Sequence, residues 1–93
     1  MKVKLKKPYL FEGKEYTEID LELDSLTGED VEAIFAQIEA MVKQNPSAPI
    51  VSTSWKYYAA RASKLPVEFF NKLPALDYLK LSGVTNTFLQ ESV

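Results

Sequence analysis

The chain has 93 residues, a net charge of −2, 46% hydrophobic and 26% charged residues, which bounds it to one domain of ordinary globular composition with little room for a deep substrate pocket. It contains no cysteine and no histidine, which excludes a disulfide framework, a thiolate metal site and the usual general base. No apolar run reaches the roughly 18–20 residues that span a bilayer, and Met1–Lys7 lacks the apolar stretch of a secretory signal, so the expectation is a soluble cytoplasmic protein with no membrane partner.

Charge is unevenly placed: residues 1–7 carry four lysines and no acid, and residues 12–32 carry nine acids against one lysine. Both regions alternate with period two, the signature of half-buried strands. Val3 and Leu5 oppose Lys2, Lys4 and Lys6; Ile19, Leu21 and Leu23 oppose Glu18, Asp20, Glu22 and Asp24. Antiparallel pairing would set lysines across from carboxylates, each pair contributing about 0.2–1 kcal/mol. The pattern predicts a hairpin over about residues 2–24 with its turn at Gly13. A two-residue turn at Gly13-Lys14 would place Leu5 opposite Glu22, on the wrong face. An odd-numbered loop or a bulge is therefore expected, bringing Leu5 to Leu21 or Leu23, with Pro8 at the irregularity.

Four helices are predicted, over about 28–44, 53–64, 66–73 and 74–90. Thr27 is the N-cap of the first, and Asp30 completes a capping box. Val31, Ile34, Phe35, Ile38, Met41 and Val42 form its apolar stripe; Ala33, Ala36 and Ala40, opposite, either serve helix propensity or offer a smooth face to another helix. Asn45–Pro49 is a loop. The second helix, capped by Ser52 or Thr53, is apolar nearly all round, with Trp55, Tyr57, Tyr58, Ala59, Ala60 and Ala62. Pro66 and Pro74 open the third and fourth helices. In the fourth, Tyr78, Leu81, Val84, Thr85, Phe88 and Leu89 share the core face. Leu76 and Leu79 fall on the far side, beside Gly83, where they either cover Phe69, Phe70 and Leu73 or face another protein. The fold class is α+β: an N-terminal antiparallel β-hairpin followed by three or four packed α-helices in a single domain, 1–93.

Residues for chemistry are lacking. Glu29, Asp30 and the strand carboxylates sit at a helix cap and on a solvated face, where nothing raises a pKa. Glycines occur only at 13, 28 and 83, so no phosphate loop exists, and no acid spacing matches a calcium or magnesium loop. No catalytic, cofactor-binding or metal-binding residue is assigned, and no cofactor. Trp55–Arg61 interleaves aromatics with Lys56 and Arg61, but two cations in an acidic domain make a poor electrostatic footprint for nucleic acid. Protein binding remains, and the surplus apolar surface of the second and fourth helices nominates Trp55, Tyr57, Leu76 and Leu79 as partner-binding residues.

The segment VKLKKPYLFEGKEYTEIDLELDSLTGEDV resembles the opening of tail assembly chaperones of long-tailed bacteriophages: a strand running into proline, a Gly-Lys loop, an alternating strand and a Leu-Thr-Gly-x-Asp helix start. LPVEFFNKLPALDYLKLSGVTNTFL is similar to that family's ending, with its Leu-Pro helix start, the step from Leu73 to Asp77-Tyr78, and a closing Val84, Phe88 and Leu89 with one extra residue of spacing. The likeness covers nearly the whole chain. One departure is Leu23–Leu26, where related sequences often carry basic residues, so charge-based contacts do not transfer. The resemblance implies a non-enzymatic chaperone that binds and solubilises the tape measure protein in the host cytoplasm while tail tube proteins polymerise around it, and that leaves before the virion matures. It further implies a longer form made by frameshifting, and the surplus apolar surface of the second and fourth helices, with the exposed strand edges, leads to the expectation of a homo-oligomer. The alternative readings are another small phage or prophage structural or adaptor protein of head–tail connector type, and a small nucleic-acid-binding regulator.

Overall fold

The structure is a computed structural model, which describes residues 1–46 and 54–91, the side chain of residue 91 excepted. Strands β1 (Lys2–Phe11) and β2 (Lys14–Asp20) form an antiparallel hairpin. A 3-10 turn at Leu23–Ser25 leads into helix α1 (Gly28–Gln44). Helices α2 (Trp55–Ser63), α3 (Val67–Asn71) and α4 (Ala75–Glu91) follow. The architecture is α+β, a hairpin and then helices, as the alternation and proline punctuation imply. The expected caps Ser52 and Thr53, and most of the loop before them, lie outside the described residues.

Phe11 pairs with Lys14, so the turn is Glu12-Gly13. Both residues have positive φ, 50° and 79°, the backbone of a primed two-residue turn that matches strand twist. From Phe11–Lys14 to Tyr9–Tyr16 the strands run in one register. From Lys4–Glu18 to Lys2–Asp20 they run in another, and the shift falls between Lys4 and Tyr9. The irregularity expected from the apolar pattern therefore exists, and Pro8 is in it. Its outcome differs from expectation: Val3 is the residue opposite an apolar partner, Ile19, while Leu5 has no cross-strand partner in register and packs partly buried against the core. The second strand also ends earlier than the alternation implies. It stops at Asp20, and Leu21 donates its N–H to Met1 O at 2.7 Å just beyond. Leu23 reaches the core from the 3-10 turn instead.

Beside the bulge, side chains of α4 take up main-chain groups on the outer side of β1. Asp77 Oδ1 accepts the Lys6 N–H at 2.7 Å, and Lys80 Nζ donates to Lys4 O at 2.6 Å. Asp77 is 1% exposed. Phe69 on α3 holds the hairpin from below. The rings of Tyr9, Phe11, Tyr16 and Phe70 meet it edge-on with centroids 4.9–5.2 Å away, and Tyr9 Oη donates to Phe69 O at 3.0 Å. Such ring pairs add about 0.5–1.5 kcal/mol each beyond their buried area.

Helix α2 is central, packing against α1, α3, α4, β2 and the 3-10 turn. That position explains its apolar circumference. Lys64 closes it in the left-handed conformation (φ 61°), with the Leu65 N–H bonded to Ala60 O. Helix α1 packs mainly on α2, with Ile34 fully buried and Phe35 52% exposed. Its capping box is complete: Thr27 N–H donates to Asp30 Oδ2 at 2.8 Å, and Asp30 N–H to Thr27 Oγ1 at 3.4 Å. Arg61 Nε on α2 donates to Asp30 Oδ1 at 2.6 Å. Helix α4 is continuous through Gly83, and its core face is the expected one, with Leu81 and Thr85 fully buried and Tyr78, Val84 and Phe88 packed against the core.

Removing the Asp77 acceptor leaves the Lys6 N–H unpaired against α4. Asp77→Ala is expected to lose about 1–3 kcal/mol of unfolding free energy, and Asp77→Asn, which keeps the acceptor oxygen, less; urea unfolding of both variants checks this. The Thr27 backbone N–H, followed by the Arg61 side chain, holds the Asp30 carboxyl below the ordinary 3.8. Its ionised form is thus favoured in the folded state, so this contribution is complete above the ordinary aspartate range and disappears as pH falls through the lowered value. Urea midpoints across acid pH should show the wild type losing its advantage over Asp30→Asn as pH drops from about 5 to about 2.

Candidate protein-docking surface

The four residues nominated by sequence separate into three environments. Trp55 is wholly buried, its ring edge-on to Phe70 at 5.9 Å and to Tyr78 at 5.0 Å. It cannot reach a partner, and the expectation is corrected: Trp55 is core, because α2 is enclosed by neighbours where the sequence suggested a surplus apolar face. Tyr57 is half-buried. It lines an open groove of about 510 Å³ between α1, α2 and α3, beside Ala40, Met41 and Val67.

Leu76 and Leu79 do not cover Phe69, Phe70 and Leu73, which are buried without them. They stand 60% and 64% exposed on the outer face of α4. The structure brings them together, three positions and so about one turn apart on a helix. Leu79 also lines a groove of about 620 Å³ with Met1, Lys80, Gly83, Val84 and Phe88. At the start of the helix Leu76 lines a smaller groove of about 180 Å³ with Lys6, Lys7 and Pro74. Both grooves lie beside α4, one against Met1 and one against Lys6 and Lys7 of β1, and the face of α4 that carries Leu76, Leu79 and Gly83 runs from one to the other as a track.

Three lysines border this track: Lys6 and Lys7 at one end and Lys80 in the middle. Among the described residues none of the three makes an ion pair. The four ion pairs among the described residues lie elsewhere: the N-terminal amine with Asp20 and Glu22, Lys2 with Glu18, and Arg61 with Asp30. Asp77 is the one acid lining the track, and it is buried beneath it on the Lys6 amide.

Gly83 sits inside a helix, is exposed, and a Cβ built on it would meet nothing within 4 Å. A helix-interior glycine costs about 0.5–1 kcal/mol relative to alanine, so nothing within the fold requires it. The helical wheel already sets Gly83 beside Leu76 and Leu79. Met1, Lys6 and Lys7 were not readable as part of this surface, because only the antiparallel placement of β1 along α4 brings them there. Among the described residues no three acidic side chains converge to hold a metal ion, and no helix is long and apolar enough to cross a membrane.

The family model described as "Phage tail assembly chaperone proteins, E, or 41 or 14" matches residues 2–90. No curated protein and no solved structure matches the chain. With nearly its whole length matched, from β1 to the end of α4, the chain belongs to the phage tail assembly chaperone family.

Proposed function

We propose that the chain binds the tape measure protein and keeps it soluble during tail assembly, without catalysing a reaction, and that the α4 track is where the client sits. The observation that carries this reading is the pair of leucines, Leu76 and Leu79, more than half exposed and continuous with an apolar groove. Exposed contiguous apolar surface of this kind marks protein-binding sites, and an amphipathic client helix is recognised by grooves that take its apolar face. Tyr57, at the rim of the α1–α3 groove, is a second contact point.

The action belongs in the host cytoplasm, before the virion is mature, with the tail tube proteins as further partners. Association of several copies, one or more in a frameshift-extended form, would present several tracks to one long client. Exposed surface of this kind is worth little to folding, so its removal separates binding from stability.

Co-expression with the tape measure protein tests the proposal. The double variant Leu76→Ser, Leu79→Ser is expected to lose soluble co-purification of the client while its unfolding free energy stays within about 0.5 kcal/mol of wild type. Unimpaired co-purification would place the client elsewhere, and a large loss of stability would make the two leucines part of the core.

A further inference from the structure

We infer that the β1–α4 track seats an amphipathic α-helix whose apolar stripe is flanked by carboxylates. This rests on the client-binding reading above and names the chemistry of the client segment.

Shape, backbone and charge agree on such an occupant. The track follows α4, which at 17 residues is about 25 Å long, enough for four to five turns of a second helix. Leu76, Leu79 and Gly83 are spaced by three and four residues, the separation that puts side chains on one helical face. Two helices can approach closely only where side chains at the crossing are small, and Gly83 lies between Leu79 and Phe88 with open space above it. A glycine without any use inside the fold gains one if a partner backbone crosses there.

Charge selects among partners. Lys6, Lys7 and Lys80 border the apolar strip without an ion pair among the described residues, although the chain as a whole is acidic. Seating a helix with basic flanks would press like charges together, whereas carboxylate flanks would meet ammonium groups along an exposed rim. Nucleic acid fits poorly, because the centre of the strip is leucine and three lysines make a small footprint. An anionic lipid surface would find the same lysines and leucines, but two exposed leucines around a helix glycine make a small face for insertion between lipids.

Two synthetic helical peptides of about 20 residues, sharing one leucine stripe and differing only in glutamate or lysine flanks, test this by fluorescence anisotropy with the full chain. The glutamate peptide should bind about tenfold more tightly at low salt, and the gap should close as salt rises toward about 0.5 M. The combined variant Lys6→Glu, Lys7→Glu, Lys80→Glu should reverse the order. Gly83→Leu should weaken the glutamate peptide while circular dichroism keeps the wild-type helix content. Equal binding of the two peptides, binding of neither, or an order unchanged by charge reversal would overturn the inference. So would preferential binding to phosphatidylglycerol vesicles, or a track filled by a second copy, seen as an oligomer that Leu79→Ser dissolves. If the chain still carries the tape measure protein into solution while failing to discriminate the peptides, only the charge inference fails. Loss of that co-purification rule is a separate result and bears on the function itself.

Discussion

A two-stranded ribbon is at best marginally stable in water, and everything in this molecule follows from how its hairpin is held. The ring of Phe69 is the fixture. Three aromatic side chains of the hairpin close on it edge-first, and the Tyr9 hydroxyl bonds its carbonyl. Because α3 is one short helix between two prolines, its own geometry is set by α2 before it and α4 after it. The hairpin is thus pinned to the helical layer by this aromatic cluster and by the bonds that α4 makes to β1, Asp77 with the Lys6 N–H and Lys80 with Lys4 O, with Val3 and Ile19 buried in the shared core. The α4 track exists because these two attachments lay β1 alongside α4.

Features set by neighbours in sequence were legible in the residues. Thr27 and Asp30 are three positions apart and make their box whatever surrounds them. Pro66 and Pro74 mark helix starts by steric rules that hold locally. The need for an odd-numbered loop or a bulge followed from parity, since a two-residue turn sets Leu5 against a charged residue. Its resolution depended on the turn settling at Glu12-Gly13, with a glutamate in a left-handed conformation that local preference disfavours. The pairing of Val3 with Ile19 and the early end of β2 follow from that tertiary choice.

Among surface residues the division is similar. Leu76 and Leu79 could be placed on the far side of α4 by helical phase, but their exposure depends on what α3 covers. Trp55 was misread for the converse reason. A helix apolar all round is either surplus or enclosed, and only the packing of α1, α3, α4 and the hairpin around α2 decides between them. Asp77 carried no signal at all. A carboxylate in the first turn of a helix is ordinary, and its burial is intelligible only once the strand irregularity beside it is known.

The same two bonds from α4 to the bulge, from Asp77 to the Lys6 amide and from Lys80 to the Lys4 carbonyl, have a result for assembly. They occupy main-chain groups that an incoming strand would need in order to zip onto the outer side of β1. Sheet extension is therefore closed at that border, and whatever gathers along it must do so by side-chain packing.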